Sequence, residues 1–342
     1  MTLSKRLWRK RRGCVDAFLY WSGAVHVFES MTKPTGAIIL MYHSVATDDV
    51  ALYIDPRNHL RSVEFERQMA FLHNYRTVIS LSALLDQLDA GISPPAGTVC
   101  ITFDDGYLDN LTVAAPILAK YDIPATLYLP TAHIDRAQTH WADTLHQFFI
   151  GRTNNVLEIP SVGLTADLSR ADQRVKAYTA LHRPLLESLY DDREALLSEV
   201  KRQLKPTGAS PRLTMNWEEV RDLVRRYPLF EIGGHSCGHI DLRTHGGEIA
   251  QSEMMLCRHT LQLELGMVPQ HFSFPYSRWS SETRATVVKV GWRSAVGSSQ
   301  SYRICADADR FVLARIETPL SMTDLRFKTS GAFPQIYSLI GK

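Results

Sequence analysis

The sequence predicts an α/β fold in which parallel strands alternate with helices. Apolar runs of strand length recur along the chain, and helical patterns with one apolar face follow most of them. For example, the apolar run 37–42 is a predicted strand. The next helical pattern, at 62–75, places Phe65, Met69 and Leu72 on one face. Strands that alternate with helices pair in parallel, since a crossover is needed to return the chain to the same end of the sheet.

The other predicted elements continue this alternation. Ser82 is expected to cap a helix that carries Leu84, Leu85 and Leu88. Polar motifs fall at the carboxyl ends of strands, the end at which parallel α/β barrels hold their catalytic residues. Further strands are predicted at 77–81, 98–101, 125–129, 229–232, 272–274, 293–296 and 311–316, and further helices at 109–121, 217–226, 247–265 and 282–290.

Residues from about 132 to 213 interrupt this alternation. Their pattern predicts an aromatic helical segment around 141–149, a small hairpin at 157–168 and a long helix at 171–204. We expect this stretch to be an insertion that lies over one face of the fold. It is either a lid or acceptor-binding element or a purely structural addition, and the sequence favours neither.

The composition is that of a globular protein. The chain has 342 residues, of which 45% are apolar and 22% are charged, so it can fill a sizeable core. A net charge of +2 gives no indication of a nucleic-acid partner, and none is predicted. The five cysteines are irregularly spaced, which predicts no disulfide framework and favours a reducing, cytoplasmic setting.

The amino-terminal segment 1–35 differs from the rest of the chain. A basic cluster at 5–12 precedes the mostly apolar run 14–28, which contains Asp16 and His26. This run is too short to span a bilayer, which needs about 20 apolar residues. The pattern is typical of an imperfect amphipathic helix lying on an anionic inner membrane face. The alternative is a surface helix that packs on the domain.

Two adjacent carboxylates follow the buried strand at 98–101, in the motif Thr102–Gly106. Carboxylates at the end of a buried strand are costly unless they are paired. Because strand side chains alternate in direction, Asp104 and Asp105 can have different roles, one facing a metal ion and the other acting as a base. The alternative is a strand-to-helix turn in which an Asp caps the helix.

Two histidines four residues apart form the second candidate motif. His235 and His239 come after the apolar segment 229–232. In a helical turn this spacing would place both imidazoles on one face, where they can bind one metal ion. Two imidazoles and one carboxylate are a common catalytic metal set. The alternative is that both histidines are structural.

Together these motifs resemble those of the polysaccharide deacetylases of the NodB-homology type (carbohydrate esterase family 4). The segments 102–106 and 235–239 resemble the first two motifs of that family, and 273–276 is similar to the third. The segment 41–45 is similar to the first strand of the exopolysaccharide-deacetylase branch. The resemblance covers roughly 36–317. It implies a distorted (β/α)7 TIM-like barrel over residues 36–342, with the helical insertion at about 132–213.

The resemblance also implies roles for individual residues. Asp105, His235 and His239 are expected to bind a divalent metal ion, with zinc as the expected metal. Asp104 is expected to be the general base. The backbone N–H of Tyr276 is expected to hold the oxyanion, although a packed loop aromatic is an equal alternative from the sequence alone.

The chain departs from the family pattern at two points. Ser273 stands where the third motif normally has Arg, and we hypothesise that Arg315 replaces that arginine from the last strand. The family's general acid is a histidine in a late motif, but this chain has no histidine after His271. His43, at the end of the first strand, is the candidate acid. Its alternatives are a structural role for His43 and a protonated Asp104 that returns its proton.

The resemblance implies a metal-dependent hydrolase that removes an N-acetyl group from an amino sugar. The expected partner is an N-acetylated polysaccharide or lipid-linked glycan. An O-acetyl esterase or a deformylase is an alternative within the same chemistry, since a metal-activated water does not identify the acyl group. The missing acid also permits a catalytically lapsed barrel that only binds glycan, and the remaining alternative is a barrel without metal.

Overall fold

Seven parallel strands form a closed barrel in this computed structural model, which confirms the predicted fold. Each strand pairs with its two neighbours in the ring, so the carboxyl ends of all seven lie on one face. In spatial order the strands, numbered along the chain, are β1 (Ile38–Tyr42), β5 (Thr98–Phe103), β6 (Ala125–Leu129), β9 (Phe230–Gly234), β10 (His271–Ser273), β11 (Ser294–Gly297) and β12 (Leu313–Glu317), which returns to β1.

Three short strands lie beside the barrel, in addition to the hairpin of the insertion described below. β4 (Thr77–Val78) pairs with the amino-terminal part of β5, and β2 (Ser44–Ala46) pairs in parallel with β3 (His59–Arg61). The predicted strand at 77–81 is therefore shorter than expected.

The structure describes residues 22, 23, 27, 35–208, 210–299 and 301–331. The amphipathic membrane-surface helix predicted within 1–35 lies almost entirely outside these ranges. Within them, every helix is too short or too polar to cross a bilayer.

Helices surround the barrel at nearly the predicted positions. The predicted helices at 62–75, 217–226 and 247–265 are confirmed residue for residue. The segment 109–121 begins with a π-helical turn at Asn110–Ala114. These helices are α1 (Asp48–Ala51), α2 (Ser62–Tyr75), α3 (Leu81–Asp89), α4 (Ala115–Lys120), α5 (Thr131–Arg136), α9 (Trp217–Arg226), α10 (Gly247–Leu265), α11 (Ser281–Val290) and α12 (Met322–Lys328).

The predicted cap of α3 is wrong by two residues. The hydroxyl of Ser80, not Ser82, accepts the backbone N–H of Ala83 at the start of this helix. Ser82 instead contacts Nε2 of His271 at 2.9 Å. The serine before the first helical residue is the one whose hydroxyl can reach the orphan N–H groups.

The barrel interior is filled by inward-facing side chains of alternate strand residues. Ile39, Cys100 and Tyr128 belong to this interior cluster, and the leucines of α3 pack against it. Gly233 lies beside them, where an added Cβ would come within 2.6 Å of the Tyr128 ring. The interior therefore needs a residue without a side chain at this position of β9.

The insertion forms a separate small core above the barrel. It consists of α6 (Trp141–Gly151), the hairpin of β7 (Val156–Ile159) and β8 (Leu164–Asp167), α7 (Ala171–Glu187) and α8 (Tyr190–Leu204). The predicted hairpin is confirmed, and the single helix predicted at 171–204 is wrong. The chain is extended at Ser188, with ψ of 150°, and this residue separates α7 from α8.

Asp109 connects β2 to the π-helical turn. Its carboxylate accepts the Ser44 hydroxyl at 2.5 Å and the Val45 N–H at 2.9 Å. Burial raises the pKa of Asp109 to about 6, although these hydrogen bonds act in the opposite direction. The folded state therefore binds this proton more tightly than the unfolded chain does.

Replacing Asp109 with Asn is expected to change the pH dependence of stability. In the wild type, this group lowers the free energy of unfolding progressively as the pH rises from about 4 to about 6. Asn cannot ionise, so the variant should gain about 3 kcal/mol relative to the wild type between about pH 4 and about pH 7. Urea unfolding at both pH values measures this gain, with the exposed Asp172→Asn as a control. Parallel pH profiles for Asp109→Asn and the wild type would contradict it.

Candidate functional site

The predicted site residues meet in one cleft at the carboxyl ends of the barrel strands. The cleft has a volume of about 520 Å³. Six of the seven barrel strands, or the loops that follow them, contribute lining residues, because all parallel strands end on this face. The cleft is lined by each of the seven residues that the sequence singled out: His43, Asp104, Asp105, His235, His239, Tyr276 and Arg315.

A left-handed turn directs Asp105 into the cleft. Asp105 has φ of 77° and Gly106 has φ of 67°. A Cβ at Gly106 would lie 2.7 Å from the side chain of Ile134, so the turn requires glycine there. Asp105 Oδ1 lies 3.5 Å from Nε2 of His235 and 3.1 Å from Nε2 of His239. This buried oxygen has no hydrogen-bond partner among the described residues.

The two histidines lie in a loop after β9 and not in a helical turn, the geometry that their spacing would also fit. Ser236 and His239 have φ of 60° and 51°, and this left-handed backbone turns the loop. The carboxylate of Glu253 accepts the N–H groups of Cys237 and Gly238 at 2.9 and 2.7 Å. The loop brings the imidazole centroids of His235 and His239 within 4.8 Å of each other.

The outer nitrogens of both imidazoles are already occupied. Nδ1 of His235 lies 2.8 Å from the Ser273 carbonyl, and Nδ1 of His239 lies 3.2 Å from the Tyr276 hydroxyl. A carbonyl only accepts, so Nδ1 of His235 carries the hydrogen and the lone pair is on Nε2, the nitrogen nearer Asp105. Burial lowers the pKa of His235, and lowers that of His239 to about 3. Neutral imidazoles with occupied outer nitrogens fit a divalent metal ion.

The Tyr276 side chain joins the histidine loop to the insertion. Its hydroxyl accepts the indole N–H of Trp141 at 2.8 Å and lies 3.2 Å from the carbonyl oxygen of His239. Tyr276 itself has φ of 59°. The Tyr276 ring also packs against the core of the insertion, as the alternative of a packed loop aromatic predicts, and the role of its backbone N–H stays a prediction.

Asp104 forms a two-pronged ion pair with Arg315. The distances from Nη1 to Oδ1 and from Nη2 to Oδ2 are both 2.6 Å, and both residues are buried. Ser273 lies beside the pair, with its hydroxyl 2.9 Å from Nη2 of Arg315. Burial alone would raise the pKa of Asp104, but the charge and the hydrogen bonds of Arg315 lower it overall. Arg315 thus contacts both Asp104 and Ser273, so its position is consistent with the hypothesis that it replaces the arginine of the third motif.

Comparison with known proteins identifies the family. The family model for polysaccharide deacetylases matches residues 91–295, more than half of the chain. The chain belongs to the polysaccharide deacetylase family. The resemblance inferred from the motifs is confirmed, and Arg315 lies outside the part that the family model matches.

This chain is similar to a curated relative and to two solved structures. "Putative polysaccharide deacetylase YxkH" of Bacillus subtilis is 40% identical over 101 residues, which make up 28% of this chain and a third (33%) of that protein's length. The deacetylase PplD of Streptococcus pyogenes, in complex with acetate, has a TM-score of 0.56 at 16% identity, covering 87% of this chain and 99% of its own. IcaB of Ammonifex degensii has the same TM-score and identity, covering 88% and 98%. At this identity the two structures support the fold alone.

His43 directly follows β1. Its backbone carbonyl accepts the side-chain amide of Asn110 at 2.8 Å. Its imidazole, when charged, contributes to lowering the pKa of the buried Asp104, after the larger effects of burial, Arg315 and His235. His43 therefore lines the same cleft as Asp104 and Asp105, and its role as an acid stays a prediction.

His140 is a site residue that the sequence did not indicate. Asp105, His140 and His239 each offer a ligand atom, and these three atoms lie within 4.8 Å of one another. His235 is outside this group, but its Nε2 is 3.5 Å from Asp105 Oδ1. One ring nitrogen of His140 and one of His235 each lie against a backbone carbonyl, that of Asp105 and that of Ser273. His140 precedes α6 without any motif spacing that could have identified it.

Arg193 is a second residue of the site's surroundings that the sequence did not indicate. It is 1% exposed, although it belongs to the charged helix α8. It donates to the carbonyls of Leu185, Ser188 and His239 at 2.9, 3.1 and 3.3 Å. It thus caps the end of α7 and ties the insertion to the histidine loop.

Replacing Arg193 with Met is expected to cost about 2–4 kcal/mol of stability, because buried carbonyls lose their donors. Zinc affinity should also fall, since the His239 loop loses one of its supports. Urea unfolding and competition with a chelator measure the two effects. Arg202→Met, on the exposed face of the same helix, is the control and should change little. Equal stability of the Arg193 and Arg202 variants would rule out this role.

Proposed function

We propose that this protein is a metal-dependent hydrolase that removes an N-acetyl group from an amino sugar of a polysaccharide or lipid-linked glycan. One observation carries the proposal. Among the described residues, Oδ1 of Asp105 has no hydrogen-bond partner, and it lies within 3.5 Å of Nε2 of two neutral imidazoles, His235 and His239. The carboxylate of Asp104, which Arg315 binds, lies beside them. Family membership supports the choice of an acetylated glycan.

Asp105, His235 and His239 would hold the metal ion, and zinc suits a set of two imidazoles and one carboxylate that leaves room for water. When bound, such a metal lowers the pKa of its water to about 7 and polarises the acyl carbonyl. The contacts of the outer imidazole nitrogens support this assignment. The Ser273 carbonyl and the Tyr276 hydroxyl hold the rings in orientation before any metal binds.

Asp104 would act as the general base that takes a proton from the attacking water. A base must be ionised at working pH, and the pair with Arg315 keeps the buried carboxylate in that state. The same pair restricts its rotation, since both oxygens are engaged by one planar guanidinium.

The remaining steps need an oxyanion donor and a proton for the departing amine. The backbone N–H of Tyr276 would donate to the oxyanion, a contact worth about 3 kcal/mol in comparable sites. His43 would protonate the amine, because it lines the cleft beside Asp104 and Asp105. Alternatively, Asp104 returns the proton that it took from water.

The wall of the cleft supports a sugar substrate. Trp141, His182 and Leu186 of the insertion line one side, and the Trp141 and His182 rings lie 5.0 Å apart. Aromatic and apolar side chains with a few polar groups are typical of small-ligand sites. We propose that the insertion binds sugar residues adjacent to the acetylated one. The basic segment 1–35 would favour a lipid-linked substrate at the inner membrane face.

The experiment that tests this function is a product assay. The protein is incubated with N-acetylglucosamine oligomers, with lipid-linked amino sugars and with O-acetylated sugars, and released acetate and formate are measured. We expect acetate release from the N-acetyl substrates. This release should stop when a chelator is added and return when zinc is added back. Acetate from esters alone, or formate alone, would identify the esterase or the deformylase instead.

The absence of a histidine after His271 favours a second candidate, a lapsed barrel that binds glycan without hydrolysing it. Zinc bound in a one-to-one ratio and glycan binding without any released acid would identify this function. Acetate release by the wild-type protein that disappears in His43→Ala would exclude this second candidate.

A further inference from the structure

His140 lies against the predicted metal ligands, yet it belongs to the edge of the insertion. It is the residue immediately before α6, and only 3% of it is exposed. Its ring centroid is 5.1 Å from that of His239, and one of its nitrogens belongs to the compact group of ligand atoms with Asp105 and His239. The fold therefore brings a third imidazole to the carboxylate of Asp105.

The hydrogen bonds of His140 define its tautomer. Nε2 lies 3.0 Å from the backbone carbonyl of Asp105. The carbonyl can only accept, so Nε2 carries the hydrogen and the lone pair is on Nδ1. Nδ1 is buried, and within the described ranges nothing donates to it. A buried imidazole lone pair without a donor is costly unless a metal ion binds it.

We propose that His140 is a fourth protein ligand of the metal ion, together with Asp105, His235 and His239. This inference rests on the metal site of the proposed function. Metal-binding histidines almost always donate their second ring N–H to a carbonyl, a carboxylate or water. His140 and His235 both do so, to the carbonyls of Asp105 and Ser273. The donor set is then three imidazoles and one carboxylate.

This assignment gives the insertion a direct part in metal binding. His140 precedes Trp141, whose indole donates to the Tyr276 hydroxyl next to His239. The packing of α6 therefore determines the position of one ligand and the support of another. A barrel without this insertion would hold the metal with three ligands only.

His140→Gln separates a ligand from a residue that only positions Asp105. The Gln amide can donate to the Asp105 carbonyl in place of Nε2, but it has no imidazole. Zinc content, zinc affinity by chelator competition and zinc X-ray absorption are measured on the full chain. Wild type should bind one zinc with three imidazoles, and His140→Gln one zinc with two. The affinity of the variant should be at least about tenfold lower.

Two controls make the outcomes distinct. His146→Ala changes a histidine of α6 that contacts the Leu52 carbonyl at 3.1 Å. This variant should keep three imidazoles on the zinc and the full zinc affinity. Circular dichroism verifies that each variant is folded. A wild type with two imidazoles, or a Gln variant with unchanged spectrum and affinity, overturns the role of His140 and leaves the proposed function intact. Two zinc ions per chain also overturn the single four-ligand site. A wild type that binds no zinc overturns the metal site itself.

Discussion

Asp104→Asn is expected to lower kcat for acetate release by about 10²–10⁴-fold, the usual contribution of a general base. Asn has the same shape as Asp but cannot take up a proton. The zinc content should remain at the wild-type level, because the carboxylate assigned to the metal is Asp105. Acetate release under saturating substrate and zinc analysis of the same sample provide the measurement.

Asp105→Asn is the matched control for this prediction. It changes the adjacent residue in the same chemical way, but it should remove both the zinc and the activity. An Asp104→Asn protein that turns over at the wild-type rate would show that another group is the base. Loss of zinc from the Asp104 variant would instead show that the two carboxylates have exchanged roles.

Much of this site follows from strand periodicity. Cys100 belongs to the barrel interior, so Asp104, four residues later, points to the same side of β5. Arg315 is likewise in phase with the inward-facing Leu313 of β12. Opposite charges that point into one barrel are costly unless they pair, and this agrees with the hypothesis, drawn from the family's third motif, that Arg315 replaces an arginine at the Ser273 position.

The shape of the histidine loop could not be predicted in the same way. A spacing of four fits a helical turn, but two residues with positive φ give a loop that also brings His235 and His239 together. Spacing restricts which residues can meet, and several backbone paths satisfy it. Ser236 is not a residue type that signals a left-handed backbone, and histidine signals it far less strongly than glycine does.

Contacts made by the insertion were beyond prediction for another reason. His140 and Arg193 approach His239 only because the insertion folds back over the barrel. Neither contact is encoded in a local pattern, and the predicted helix 171–204 would have excluded the one made by Arg193. That side chain caps α7 from the next helix, so the exact position of the break at Ser188 depends on tertiary structure. Pro184, inside the last turn of α7, is the local signal of an interrupted helix, because proline removes a helical hydrogen bond.

Arg315→Met is expected to have a large effect on both stability and turnover. The guanidinium is the partner of a fully buried carboxylate, and its removal leaves Asp104 uncompensated at a cost of about 3–5 kcal/mol. Without the arginine charge, burial would raise the pKa of Asp104, so the acidic limb of the pH–rate profile should move to higher pH. Urea unfolding and kcat/KM across the pH range measure the two consequences.

A double variant separates pairing from packing. Arg315→Met combined with Asp104→Asn contains no buried charge at this position, so it should be more stable than Arg315→Met alone. Arg315→Lys keeps the charge but loses the two-pronged geometry, and it should retain intermediate stability and activity. If Arg315→Met matched the wild type in stability and turnover, the arginine would not be the brace of Asp104. If the double variant were no more stable than the single one, the loss would come from packing, because an unpaired carboxylate is absent from the double variant.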